Sequence, residues 1–462
     1  MRKPQRPDYD ESTRRKIDAM IEAEERYLAA LRRRTEDAGE PPPRLTGRRE
    51  FLAAAVAAAG TGSLLPRIAN AKAPAGAVER NAPADPTKEQ GVPTNDDGGY
   101  GSRSQFETEA RWRFGTATKE SSWTMTPLER GVGVITPSGL HFERHHGGIA
   151  VIDPQRHSLL VHGMVDQPMK FSVADIRRFP SISRTMFVEC SGNGLTEWTK
   201  ANLKTVQGTH GLTSTSEWTG VPLALVLKQA GLKPGAKWVL AEGADAAVMT
   251  RSIPIEKCLD DAFIAYGQNG ESIRPEQGYP IRLMLPGWEG NTHIKWLRRL
   301  EVSDVPFHTR EETSKYTDLM PNGIARQFTF VMEAKSVITY PSGEMKLPGP
   351  GFHEITGLAW SGRGKITRLE VSTDGGKTWA DAQLQAPVLP ICHTRFRFPW
   401  RWDGRDAVLQ SRATDETGYV QPSLKALVDV RGLNGPIGSI YHLNAIQSWA
   451  VAANGSVTNV HV

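Results

Sequence analysis

The pattern of apolar positions divides the chain beyond about residue 130 into two blocks of different character. From about 130 to 305, short apolar runs typical of strands alternate with amphipathic runs typical of helices. The predicted strands cover 157–165, 185–190, 237–242 and 281–285, and the predicted helices cover 173–178 and 221–231. This alternation predicts an α+β domain with a mixed sheet over 130–310.

The second block, from about 330 to 435, loses the helical period and shows runs of alternating polar and apolar residues. The run 366–373, the turn Asp374-Gly375-Gly376 and the run 377–383 predict a β-hairpin. Further strands are predicted over 396–402 and 407–414. Several short strands in about 100 residues predict an immunoglobulin-like β-sandwich, which we place over 325–445.

The first 73 residues have the features of an export signal. Arg48 and Arg49 precede an uncharged stretch over 51–66, and small residues follow at 69–73. This combination resembles a twin-arginine signal, which predicts a periplasmic protein that folds around its cofactor before export. A short buried Ala-rich helix is the alternative. The amphipathic residues 17–31 belong either to a chaperone-binding extension or to a start codon placed upstream, and 74–129 is predicted to be an irregular lead-in.

Charge and cysteine content narrow the class of protein. The formal net charge is +5, of which residues 1–73 carry +4 and the remaining 389 residues +1. The body of the protein therefore gives no case for nucleic-acid binding. Three cysteines cannot build a disulfide framework, although a Cys258–Cys392 pair stays possible in an oxidising compartment. The sequence has no apolar run of the roughly 18 residues that a membrane helix needs.

Three separate segments carry candidate chemistry. Cys190 ends a predicted strand beside the Gly-rich turn 191–194, which suits a soft metal ligand, although a lone cysteine is more often a core residue. Arg282 and Lys295 flank another Gly-rich turn and would suit a phosphate, unless they form a solvated basic surface. His141 and His145 are four residues apart, but zinc is disfavoured because the segment lacks a suitably placed carboxylate and paired cysteines.

The order of these motifs resembles the sulfite oxidase family of molybdenum enzymes. The chain has Arg-His-His at 144–146, a strand ending in Cys-Ser-Gly-Asn at 190–193, Gln-Gly-Tyr-Pro-Ile-Arg at 277–282 and His-Ile-Lys-Trp at 293–296. The resemblance covers nearly all of 110–445, and within the family the chain looks most like the sulfane dehydrogenase branch. It implies a molybdopterin-binding domain with a mixed sheet, followed by an immunoglobulin-like dimerisation domain.

The resemblance also implies roles for particular residues. Cys190 would be the protein ligand to molybdenum, held by one molybdopterin per chain. Tyr316, Arg144 and Arg431 would line the substrate pocket with Cys190. The residues that would hold the cofactor are Arg144, His146, Cys190, Asp245, Ser252, Gln277, Arg282, His293 and Lys295.

Two departures from the family pattern bear on the substrate. Leu195 stands where sulfite-oxidising members usually have an arginine, so free sulfite should bind less well and sulfur carried on a protein's cysteine becomes more plausible. Gln277 replaces a histidine of many members, but its amide can still bind a pterin. We therefore expect oxidation of carrier-bound sulfane sulfur during thiosulfate oxidation. A sulfite dehydrogenase is the nearest alternative, and an exported non-enzymatic binding protein is the remote one.

The expected partners follow from what the sequence lacks. It has no Cys-x-x-Cys-His motif, so we expect no c-type haem on this chain and a separate cytochrome c subunit as electron acceptor. The resemblance further implies homodimerisation through the C-terminal domain within a heterotetramer, and a sulfur-carrier protein as substrate.

Overall fold

The computed structural model describes residues 22, 25, 26, 29, 101–104, 106–115, 118–314, 316–433 and 442–462 of the 462. Residues 1–29 and 109–462 belong to one compact unit and 30–108 to a second. In the second unit, the Arg103 guanidinium donates to the Glu107 carbonyl at 3.0 Å. The twin-arginine segment, the uncharged stretch, the cleavage region and nearly all of 17–31 and 74–100 lie outside the described residues, so those expectations stay predictions.

Residues 109–314, the first half of the large unit, contain thirteen described strands and five described α-helices. The strands are β1 Trp112–Gly115, β2 Ser122–Met125, β3 Glu143–His145, β4 Ser158–Gly163, β5 Met169–Ser172, β6 Ile182–Glu189, β7 Thr213–Pro222, β8 Trp238–Gly243, β9 Thr250–Pro254, β10 Phe263–Gln268, β11 Glu271–Ser272, β12 Arg282–Met284 and β13 Leu297–Ser303. The α-helices are α1 Val173–Ile176, α2 Val206–His210, α3 Leu223–Ala230, α4 Ile255–Asp260 and α5 Arg310–Ser314.

Two sheets form the framework of this half. One has the strand order β5-β4-β13-β8-β9, in which β4 and β13 run parallel and the other pairs are antiparallel. The other has the order β11-β10-β7-β6, with β12 also paired to β10. Helix α3 packs Val226 and Leu227, both fully buried, into the core that the sheets share. The mixed sheet and the small helices confirm the predicted α+β class.

The second half is built almost entirely from strands. Its elements are β14 Asp318–Leu319, β15 Ala325–Arg326, β16 Lys335–Tyr340, β17 Gly351–Trp360, β18 Ile366–Ser372, β19 Ala380–Asp381, β20 Gln383–Gln385, β21 Thr394–Trp402, β22 Ala407–Asp415, α6 Leu424–Arg431, β23 Ser448–Val451 and β24 Val457–Val460. Two sheets, β16-β17-β21-β20 and β19-β18-β22-β23-β24, enclose a core that includes Trp360, Phe396 and Trp449. This is the predicted sandwich, and its second sheet extends past residue 445.

Most of the elements that were predicted from short-range patterns match an observed element to within a few residues. The predicted strand over 185–190 is the C-terminal part of β6, and the predicted helix over 221–231 is α3. Helix α3 begins later than predicted because Val221 and Pro222 end β7. It stops where predicted, since Gly231 has φ 73° and caps the last carbonyls.

Two predictions about local structure were wrong in part. The segment 74–129 contains β1 and β2, whose Trp112 and Met125 are buried, so it is not irregular throughout. The predicted hairpin forms, since β18 pairs antiparallel with β19, but its second strand is limited to β19 and one residue of β20. The reason is that the Asp374 carboxylate accepts hydrogen bonds from Lys377 N at 3.1 Å and Thr378 N at 2.9 Å, which holds a wide loop.

Across the described residues, no helix has the length and apolarity to span a membrane.

Candidate functional site

A cavity lies where β6 ends and the first half of the unit meets the segment before the sandwich. Nine of the eleven predicted site residues line it: Arg144, His146, Cys190, Asp245, Gln277, Arg282, His293, Lys295 and Tyr316. They come from five separated stretches of chain that only the sheet topology brings together. Ser252 and Arg431 are not part of this lining.

Cys190 follows directly after β6 and is fixed by its main chain. Its N–H donates to the Leu212 carbonyl at 2.9 Å, and its own carbonyl accepts from Asn193 N at 2.9 Å. The thiol is half-buried and faces the cavity. Burial raises the pKa of the Cys190 thiol, so the sulfur is held as a neutral thiol until a cation of high charge displaces the proton.

A half-buried lysine and a buried arginine border the cavity, and neither forms an ion pair with a described carboxylate. Lys295 Nζ donates to the carbonyls of Arg144 and Glu276, each at 3.0 Å, and contacts a ring nitrogen of His145 at 2.9 Å. Arg282 Nη1 donates to the Gln277 carbonyl at 2.8 Å. Burial lowers the pKa of Lys295 well below its usual value and that of Arg282 to about 9. Both cations would gain from an anionic ligand.

The Arg144–His146 segment forms another wall. The Arg144 guanidinium lies 5.0 Å from the centre of the Trp123 ring, and its Nη2 is 3.3 Å from His146 Nδ1. The geometry does not support a zinc site here, because both histidines have other partners. His145 Nε2 pairs with Glu143 at 2.8 Å, and His141 Nδ1 contacts the Phe142 carbonyl. Within the described residues, no group of three His, Cys, Asp or Glu side chains could hold a metal ion.

Three of the lining residues are held by main-chain groups. His293 Nδ1 accepts from Leu285 N at 3.3 Å, so its Nε2 donates to the Trp288 carbonyl at 3.2 Å. Burial, together with the charge of Arg282, lowers the pKa of His293 to about 3, so its ring is neutral. Gln277 Nε2 donates to the Phe142 carbonyl at 2.8 Å, and Asp245 Oδ1 accepts from Met249 N at 3.2 Å.

A second cavity of about 240 Å³ adjoins the first, and Tyr316 lines both. Arg431, at the end of α6, lines this second cavity, where its Nη2 is 3.1 Å from Glu333 Oε1. The same carboxylate is 3.0 Å from His442 Nε2. Burial alone would raise the pKa of Glu333, but the hydrogen bond and charge of His442 and the charge of Arg431 lower it to about 2. The positive charge of Arg431 is therefore compensated.

Ser252 lies outside both cavity linings and belongs to a hydrogen-bond network that packs against Tyr316 through Arg251. Its hydroxyl donates to the Phe307 carbonyl at 2.7 Å, and its N–H donates to Glu312 at 2.9 Å. Glu312 also pairs with the buried Arg251 at 2.8 Å, and the Arg251 guanidinium lies 5.1 Å from the centre of the Tyr316 ring. Ser252 thus packs behind the pocket, and its predicted contact with a pterin stays a prediction.

Sequence reasoning missed the carboxylates and the amide between the cavities. Glu289 lines the second cavity, and burial raises its pKa to about 6. Asn291 lines the first, and its Nδ2 donates to Glu289 at 2.7 Å and to Ser191 at 3.1 Å. Both lie in the Gly-rich stretch between Arg282 and Lys295, which was the available signal. Glu333 lies in a stretch without any motif, and only folding brings it to Arg431.

These residues fit a molybdenum–pterin cofactor. Arg282 Nε and Asn291 Oδ1 are buried without a hydrogen-bond partner among the described residues, and both belong to the lining of the first cavity. A soft sulfur, one buried and one half-buried cation, and two unsatisfied polar atoms form a donor set for a soft metal carried on a polar, anionic group.

Comparison with known proteins defines the class. Residues 146–311 match the oxidoreductase molybdopterin binding domain, and residues 326–448 match the Mo-co oxidoreductase dimerisation domain. The chain belongs to the sulfite oxidase family of molybdenum oxidoreductases.

Particular relatives differ in the reaction that their names describe. The crystal structure of the sulfane dehydrogenase SoxCD from Paracoccus pantotrophus is similar to 82% of this chain and 98% of its own, with 46% identity and a TM-score of 0.79. Nitrate reductase [NADH] from Solanum lycopersicum is 32% identical over 66% of this chain and 38% of its own length. Mitochondrial sulfite oxidase from Rattus norvegicus is 29% identical over 68% and 61%. The chain thus spans about two fifths and three fifths of the length of these two curated relatives.

Proposed function

We propose that this chain is the molybdenum subunit of a periplasmic oxidoreductase that oxidises sulfane sulfur bound to a carrier protein. The observation that carries the proposal is the similarity to the sulfane dehydrogenase SoxCD, at 46% identity over 98% of that chain. The nitrate reductase and sulfite oxidase matches are less identical and cover less of those proteins. One molybdopterin per chain, without a haem here, would serve the reaction.

In the proposed reaction, the residues that line the first cavity would have separate tasks. Cys190 would hold the metal through its sulfur, and Arg282 and Lys295 would hold the anionic part of the pterin. When bound, the cofactor supplies an acceptor for an electron pair and a site for transfer of a water-derived oxygen to sulfur. Tyr316, at the boundary of the two cavities, would orient the substrate by a hydrogen bond from its hydroxyl. Arg144 adds positive charge beside it.

The charges of the second cavity favour a carried substrate over free sulfite. Leu195 contributes no charge, and it packs in an apolar cluster with Trp198 and Leu427. Arg431 is neutralised by Glu333 at 3.1 Å, and Glu289 adds another carboxyl to the lining. A small free dianion gains little from such a pocket, whereas a protein carrier can contribute binding energy from contacts outside it.

The electrons would pass to a c-type cytochrome subunit. This partner is proposed from the SoxCD similarity and from the expectation that this chain binds no haem. The dimerisation domain at 326–448 supports a homodimer, which with two cytochromes would form the expected heterotetramer. The periplasmic location rests on the twin-arginine resemblance of the N-terminal segment and is tested by fractionating cells that express the full chain.

Sulfite dehydrogenase activity on free sulfite is the second candidate, and the 29% identity to rat sulfite oxidase favours it. It predicts turnover of free sulfite as fast as that of carrier-bound sulfane. The proposal made here predicts that the carrier-bound substrate has the higher kcat/KM. The exported binding protein differs from both, since it would contain no molybdenum.

The first test is the molybdenum content and activity of the full chain, compared among wild type, Cys190→Ser and Cys258→Ser. Cys258 is a fully buried thiol of the apolar core, so its substitution is a matched control. We expect about one molybdenum per wild-type and control chain, and loss of activity in Cys190→Ser even where pterin remains bound. A folded wild type without molybdenum, from a host that makes the cofactor, would overturn the enzyme assignment.

A further inference from the structure

The loop that carries Cys190 is attached to the sandwich through the residue before the cysteine. Glu189 is fully buried, and its Oε1 accepts from Lys335 Nζ at 2.9 Å. Its Oε2 accepts from Trp360 Nε1 at 2.6 Å. Lys335 and Trp360 are cross-strand partners, since Lys335 begins β16 and Trp360 ends β17. Two neighbouring side chains of the sandwich therefore donate hydrogen bonds to one carboxylate of the first half.

The same contacts reach the turn after Cys190. Lys335 Nζ also donates to the Asn193 carbonyl at 2.9 Å, and Asn193 Nδ2 donates to Glu189 Oε1 at 2.9 Å. Asn193 Oδ1 accepts from Leu212 N at 3.1 Å. The five-residue segment from Glu189 to Asn193 is thus held by hydrogen bonds on both sides of the cysteine, and each oxygen of the Glu189 carboxylate has a donor.

Burial makes this arrangement sensitive to the loss of one partner. Glu189, Lys335 and Trp360 are all about 0% exposed. A buried charge without its partner is costly, and a fully satisfied buried network fixes one geometry. The main chain at Gly290 packs closely against this loop, because an added Cβ there would lie 2.6 Å from the Glu189 carbonyl oxygen.

We propose that Lys335 and Trp360 are positioning residues that hold the Cys190 sulfur in place for the metal, so that the sandwich completes the metal site. This inference rests on the ligand role of Cys190 given in the proposed function. It assigns the second half of the chain a part in the active site that is separate from dimerisation and from the pocket arginine.

The test compares Trp360→Phe with Trp449→Phe in the full chain, made in a host that lacks molybdopterin. Trp449 is also fully buried, and its Nε1 donates to the Ile338 carbonyl at 3.1 Å, inside the sandwich. Each variant loses one indole hydrogen bond, but only Trp360→Phe frees the Cys190 loop. The readout is the rate at which iodoacetamide alkylates Cys190, followed by peptide mass spectrometry.

We expect Trp360→Phe to speed alkylation of Cys190 about threefold or more, the change that losing one hydrogen bond gives to the population of an open loop. Trp449→Phe should match wild type. The buried Cys258 and Cys392 report global unfolding and should stay unlabelled in all three proteins. Equal rates in Trp360→Phe and wild type would overturn the proposal, whatever the metal content.

A second measurement uses the molybdenum-loaded proteins. Trp360→Phe should change the EPR spectrum of the reduced metal and lower kcat more than it raises KM, while Trp449→Phe leaves both unchanged. Lys335→Met should produce the larger change if it folds. Identical spectra in wild type and Trp360→Phe would also overturn the proposal. A wild type that takes up no molybdenum would refute the proposed function, yet the alkylation comparison would still decide whether the loop is held.

Discussion

Replacing Glu333 with glutamine should convert the pocket into a better site for free sulfite. Glu333 is the carboxylate 3.1 Å from Arg431 and 3.0 Å from His442 in the second cavity. Glutamine keeps the size of the side chain and removes its charge. Arg431 then becomes available to an anion, and a negative charge that repels sulfite disappears from the lining.

The expected gain follows from the pKa of Glu333. Against the cost of burial, His442 and Arg431 lower that pKa from 4.5 to about 2. A difference of ~2.5 units corresponds to about 3 kcal/mol, at ~1.4 kcal/mol per unit. His442 supplies the larger contributions, so about 1 kcal/mol is a fair share for Arg431. Transferred to a bound anion, ~1 kcal/mol lowers the KM for sulfite about fivefold.

Steady-state kinetics with free sulfite and a soluble one-electron acceptor measure this change. Glu370→Gln is a matched control, because Glu370 is also buried and paired with two arginines, Arg412 at 2.8 Å and Arg368 at 3.2 Å, away from the cavities. We expect KM to fall only in Glu333→Gln, with kcat little changed. A KM for sulfite that is equal in the two variants would refute the idea that Glu333 masks Arg431.

The same pKa gives a pH signature. Because the folded state lowers the pKa of Glu333, its ion pairs stabilise the protein above pH 4.5, and this stability is lost as the pH falls toward 2. The free energy of unfolding of the wild type, measured by thermal denaturation, should therefore fall by up to about 3 kcal/mol more over this interval than that of Glu333→Gln.

Three further substitutions test the framework around the site. Leu195→Arg should improve sulfite binding only at a cost of about 1–2 kcal/mol in folding free energy, because the leucine packs against α6; denaturant unfolding and the KM for sulfite measure the two effects. Gly290→Ala should reduce molybdenum content, since its Cβ would meet the Glu189 carbonyl, and elemental analysis checks this. Glu312→Gln should destabilise the fold by about 3–5 kcal/mol by stranding the buried Arg251, as thermal unfolding would show.

Sequence pattern predicted the parts of this protein that depend on neighbours along the chain. The C-terminal end of β6 and the cap of α3 at Gly231 follow from local periodicity and from a glycine with positive φ. The hairpin after Asp374 forms, but its second strand is shorter than predicted because one carboxylate accepts hydrogen bonds from two main-chain N–H groups, which strand periodicity does not reveal. The family motifs, by contrast, located nine residues in one cavity, although their individual roles stay predictions.

What the sequence could not supply is the set of contacts that join distant segments. Glu189 and Lys335 are 146 positions apart, and no sequence motif indicates that they pair. A carboxylate before a metal ligand and a lysine at the start of a strand look ordinary until both are buried. Once both are buried, each charge needs a partner, because an unpaired charge removed from water is costly. The same argument applies to Arg431, whose predicted attraction for anions is controlled by Glu333, so the specificity of the pocket depends on a partner that only the fold identifies.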